Sequence, residues 1–140
     1  MPKLVIGVIF LLVLIVFDVG TLSTSGLNKK ISTQKEKSCR EHPGLVGRCF
    51  NVNGRLSVYN GAPALRIRKV GTRRMLGISE QRFQVEGYRN IPEDIKNQIN
   101  QDVDIFAGFL VCPFTRPKPR EMQLVCVESA KNPVVRKREQ

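Results

Sequence analysis

Four cysteines, at positions 39, 49, 112 and 126, constrain this chain more than any other feature. All four follow an uncharged apolar run over residues 4–17, which stands behind Lys3 and ends at Asp18. A cation, a short apolar core and the small residues of 21–26 together describe a secretory signal peptide, with a cut after Ser25 or Gly26. A spanning helix needs about 20 apolar residues, and this run has 14. The cations Lys29, Lys30, Lys35 and Lys37 keep an uncleaved N-terminal anchor open, because positive flanks are normally retained inside. An even cysteine count in an exported chain predicts two disulfides.

Composition then decides how much those bridges matter. The chain has 140 residues, 41% of them hydrophobic, with 23 Lys+Arg against 12 Asp+Glu and a formal net charge of +11. Without residues 1–26 the apolar share drops to about 37% by the same count, while the charge is unchanged, since one Lys and one Asp leave together. Such a core is thin for one small domain, and disulfides are the usual supplement.

Periodicity predicts a mainly β fold with one helix. The reading is a basic lead-in over 27–47, a single domain over 48–130 and a charged, disordered tail over 131–140. Phe50, Val52, Leu56 and Val58 alternate with polar residues around Asn53-Gly54, which predicts a strand bent at glycine. Asn60-Gly61 is a hairpin signal. Leu65 and Ile67 alternate with Arg66 and Arg68, Gly71-Thr72 predicts a second turn, and 74–78 a third strand. Residues 79–89 are irregular. Asn90 as N-cap, Glu93 three residues on, and Ile91, Ile95 and Ile99 predict a helix ending between Asn100 and Asp102. The apolar run 105–114 and residues 122–128 predict two closing strands. The order β-β-β-α-β-β is that of a five-stranded OB-like barrel, with an open α+β sheet as the alternative.

Four cysteines allow three connectivities. A hairpin turning about Pro119 sets Cys112 opposite Cys126 and leaves Cys39 with Cys49, and this local pairing is the preferred one. The alternative joins Cys49 to Cys112 and Cys39 to Cys126, because the first and fourth strands of such a barrel are antiparallel.

Little in the chain points to catalysis or cofactors. There is one histidine, His42, read as a surface-loop residue, and the cysteine spacings match neither zinc nor redox motifs. The pairs Glu93-Asp94 and Asp102/Asp104 are explained by the helix start and exit. Neither cofactor nor metal is expected. The cations carry the binding content: Arg66 and Arg68 on one strand face, Arg73 and Arg74 at the next turn, and Arg116, Lys118 and Arg120 on the proline-rich loop 115–121. Such a set suits phosphates or carboxylates, against the plainer reading of a solvated cationic face. The expectation is a non-enzymatic exported module contacting an anionic envelope component or a partner protein. Two alternatives are an inhibitor or immunity-like protein acting through loop 115–120, and an OB-like binder of nucleic acid or another polyanion. Membrane contact is expected only through an uncleaved N-terminal segment.

The strings CFNVNGRLSVYNGAPALRIRKVGTRRMLGI (49–78) and FLVCPFTRPKPREMQLVCVESA (109–130) resemble a family of small uncharacterised bacterial exported proteins. The resemblance covers about half of the chain after residue 26. It implies export and a non-catalytic module and brings no known ligand. Arg68 stands where the family pattern has Trp, an exchange of stacking for charge.

Overall fold

The computed structural model describes residues 36–79 and 82–139. The apolar run of 4–17 and the expected signal cut lie outside them. Among the described residues no helix is long and apolar enough to cross a membrane.

Five strands form one sheet: β1 (Phe50–Val58), β2 (Leu65–Lys69), β3 (Met75–Ile78), β4 (Val103–Pro113) and β5 (Gln123–Lys137). The pairing order β1-β2-β3-β5-β4 returns to β1, so the sheet closes on itself. All pairs are antiparallel except β3 with β5. Strand alternation puts Val52, Leu56, Ile67, Leu76, Ile105, Phe109, Val125 and Val127 inside, where all are buried. Gly54 is the first residue of β1 that pairs with both neighbours, Lys69 on β2 and Ala107 on β4. A Cβ at that position would run into Ile67 Cγ2, so the close approach of β2 requires glycine there.

The helix is shorter than its pattern. Only α1 (Glu93–Lys96) is helical, and Pro92 occupies its N-cap position. Asn90 does not cap it. Its side-chain amide donates to the Ser79 carbonyl and its own carbonyl accepts from Val127 N–H, tying β3 to β5. The isoleucine stripe nevertheless faces inward: Ile91 and Ile95 are buried, and Ile99 packs on the same core.

The expected disordered tail is corrected to strand as far as Lys137. Residues 131–137 pair with β4 from Gly108 back to Val103. β4 runs 11 residues, and without this partner the edge of its first half would be unpaired. Pro133, which cannot donate to a ladder, falls in the irregularity between the Phe106–Val134 and Gly108–Lys131 pairs. Asn132 beside it takes the left-handed φ of 52°.

The preferred cysteine pairing is also corrected. Cys112 and Cys126 do stand opposite in register, yet the bridges are Cys39–Cys126 and Cys49–Cys112. The β1–β4 register pairs Phe50 with Val111, so its continuation sets Cys49 beside Cys112. Cys39 lies in a short 3-10 turn, Cys39–Glu41, laid on β5, where Arg40 N–H donates to the Glu128 carboxylate at 2.9 Å. That contact, with the Lys37–Gly87 and Arg89–Lys37 backbone bonds, holds the lead-in across the barrel end. Two disulfides are consistent with an oxidising compartment.

His42 is a third correction. It is buried, not a surface-loop residue. Its ring stands edge-on to Phe114 and Tyr88, with centroids 4.7 and 5.1 Å away. Nδ1 accepts from Gly44 N–H at 3.0 Å and Nε2 donates to the Phe83 carbonyl at 2.9 Å. Both nitrogens are occupied by the backbone, and the ring fills the satellite core around Cys39–Cys126.

Candidate functional site

Two segments far apart in sequence build one basic groove. The β2–β3 turn carries Arg73 and Arg74. Gly71 takes φ 73° there, and Thr72 fixes the turn by donating from N–H and Oγ1 to Lys69 O while its hydroxyl accepts from Arg74 N–H. The β4–β5 loop carries Lys118 and Arg120. Two prolines restrict its backbone. Its base is closed by Thr115, whose Oγ1 accepts from Leu124 N–H at 2.9 Å.

Gln123 joins the two segments. It is 5% exposed. Its side-chain oxygen accepts from Arg74 Nη2 at 2.9 Å, and its amide nitrogen donates to Thr115 O at 2.9 Å. The result is an open groove of about 640 Å³ between Arg73, Arg74 and Met75 on one wall and residues 117–122 on the other. Lys118 also meets Glu121 at 3.5 Å, but both side chains are about two-thirds exposed, so this pair is weak. Arg120 holds a left-handed backbone with φ 63°. For a residue with a Cβ that costs about 1–2 kcal/mol. A cation is therefore held at the groove where glycine would be the easier residue.

Gln123→Ala is expected to cost about 1–2 kcal/mol, because two part-buried hydrogen bonds, to the exposed Arg74 guanidinium and the half-buried Thr115 carbonyl, are lost together. It should also uncouple the turn from the loop. Chemical denaturation reads the first effect. Backbone amide shifts at both Arg73 and Lys118 read the second, and shifts confined to one side would oppose the coupling.

The remaining expected cations are placed differently. Arg66 shares the outer face of β2 with Arg68, but it braces the β1–β2 turn. Its Nε donates to Pro63 O at 2.8 Å, Nη2 to Asn60 O at 3.1 Å, and its guanidinium lies over Tyr59. Arg68 is exposed and stands in register between Arg55 on β1 and Met75 on β3. Arg116 is exposed in the β4–β5 loop, outside the groove lining.

Sequence reasoning missed a second cluster on the outer face, centred on Asp104. This residue is not the helix exit but the second residue of β4. Its Oδ1 accepts from Ser57 Oγ at 2.6 Å and from Arg138 Nε at 2.8 Å, and Oδ2 lies 3.4 Å from Arg55 Nη1. Arg138 also donates through Nη2 to Val58 O. Burial would raise the Asp104 carboxyl. The Ser57 and Arg138 hydrogen bonds, with the charges of Arg55 and Arg138, outweigh burial and hold it below the ordinary aspartate value. A depressed folded-state value contributes stability that is complete above the ordinary value and lost as pH falls through the lowered one. Asp104→Asn is therefore expected to flatten the acid limb of the stability-against-pH curve, at a neutral-pH cost of about 2 kcal/mol from two guanidiniums left short of a partner. Acid titration of the unfolding midpoint for both proteins checks it, and parallel acid limbs would reject the assignment.

Among the described residues no three His, Cys, Asp or Glu side chains group as metal ligands. Comparison with protein-family models, curated proteins and solved structures finds no match to this chain.

Proposed function

We propose that this protein is an exported, non-enzymatic binding module whose basic groove holds an anionic polymer of the cell envelope. The observation that carries the reading is Gln123, a buried amide that fastens the Arg73/Arg74 turn to the Lys118/Arg120 loop. A merely solvated set of cations would not need a buried strut between its two halves. The left-handed Arg120 supports the same reading, since strained residues gather at functional sites.

The strand order, with β1 between β2 and β4 and β3 parallel to β5, supports an OB-like topology. In that topology the β4–β5 loop belongs to the binding rim. Membership of the exported family named above belongs to the same proposal. Its pattern has Trp where this chain has the exposed, outward Arg68. The two disulfides support export. Retention on immobilised long-chain polyphosphate, set against a neutral dextran matrix, tests the reading. Wild type should be retained and released by salt, and the charge-reversed groove variant Arg73→Glu with Lys118→Glu should be released at markedly lower salt. Equal retention of both proteins would reject the groove as the site.

A further inference from the structure

We infer that the cleft around Arg55, Tyr59 and Arg136 is a second anion subsite, and that its ligand is a flexible linear polyanion wrapped round the barrel wall from this cleft to the groove. The inference rests on the groove reading for one end of the track and on independent observations for the other.

The cleft lies on the outer face of β1, β4 and β5 and has a volume of about 480 Å³. Its Asp104 carboxylate is shared by Arg55 and Arg138, and with Arg136 and Lys137 the lining carries four cations against two carboxylates, Asp104 and Glu139. Arg136 stands in register with Asp104. Arg136 is exposed, lies over the Phe106 ring at 5.2 Å, and forms no ion pair among the described residues. Two donors in the cleft residues, Arg55 Nε and the Tyr59 hydroxyl, are buried without a hydrogen-bond partner. Buried polar groups are normally satisfied, and an unsatisfied pair beside surplus positive charge calls for a water or an anion. Tyr59 and Phe106 add aromatic surface, with Arg66, Arg138 and Arg136 over their rings.

Register makes the two sites continuous. Met75 in the groove wall pairs with Arg68, Arg68 with Arg55, and Arg55 with Phe106. Leu76, Ile67, Leu56 and Ile105 point inward, so these neighbours all point outward. The row crosses three strand spacings, about 14 Å along the backbone, and because the sheet closes on itself it runs round the barrel wall from β3 to β4. A single phosphate or carboxylate cannot cover it, whereas a chain of anionic groups can. Phosphate and carboxylate polymers share this chemistry.

Calorimetric titration separates the cases, with inorganic tripolyphosphate as the short probe and long-chain inorganic polyphosphate as the long one. Hyaluronate is the carboxylate arm. Wild type should bind two tripolyphosphates and one long chain. Arg136→Glu should bind one tripolyphosphate, bind the long chain about tenfold more weakly, and show a shallower salt dependence. Arg136→Lys should recover most of the affinity. Misfolding is read separately by the unfolding midpoint. Arg136→Glu binding the long chain as wild type does would overturn the track and leave the groove reading intact. If Arg73→Glu with Lys118→Glu loses nothing for either probe, the groove reading fails instead, and the track with it.

Discussion

Replacing Cys39 and Cys126 together by alanine should lower stability by about 3–4 kcal/mol, with a fall in the unfolding midpoint of roughly 15–20 °C. The pair is 87 residues apart, but the Cys49–Cys112 bridge nested inside it shortens the loop it closes to the segments 39–49 and 112–126. In the chain-entropy account a bridge acts by restricting the unfolded chain, and the restriction grows with the loop it closes. The native bridge also holds a place in the fold. Cys39 and Cys126 are both fully buried and meet Cys112 and Phe114 in the satellite cluster. Losing the pair should free the 3-10 turn from β5 and expose His42. Urea unfolding of the double variant under oxidising conditions, with peptide mapping of the surviving Cys49–Cys112 bridge, checks the loss. A cost near 1 kcal/mol would mean that packing, not the bridge, fastens the lead-in.

Arg73→Glu with Lys118→Glu should weaken binding of a long polyanion about a hundredfold, close to 2.7 kcal/mol. Two cations become two anions within one groove, and each reversal at partly screened distances is worth on the order of 1 kcal/mol. Neither Arg73 nor Lys118 is buried, so the unfolding midpoint should hold. The pair is a cleaner choice than Arg74, whose guanidinium also satisfies Gln123.

Much of the barrel was legible because its physics is local. Alternation marked Val52, Leu56 and Ile67 as inward, and the apolar run marked β4. Gly54 announced the bend by its place in mid-strand. The misreadings share a different cause: each depended on a contact far away in sequence. Asn90 has the residue type of an N-cap, but the Ser79 carbonyl takes its side chain. The tail looks like a polar end with a proline, and only the length of β4 makes residues 131–137 a strand. Cys112 does face Cys126, yet each sulfur bonds a partner brought from the lead-in or from the residue just before β1.

The site divides in the same way. The groove cations were legible as charge on turns, whereas Gln123 carried no signal as their strut. The Asp104 cleft was hidden because it draws on β1, β4 and the end of β5, and its aspartate looked like the exit of a helix. Alternation along β1 does put Arg55 and Ser57 on the same face, which was the one sequence trace of it.

The central claim is that the two fastened basic segments bind an anionic polymer, and the salt dependence of long-chain polyphosphate affinity tests it most directly. The expected result for wild type is a steep linear fall of log affinity with log salt, flattened in Arg73→Glu with Lys118→Glu. An affinity independent of salt, or one equally steep in both proteins, would contradict it.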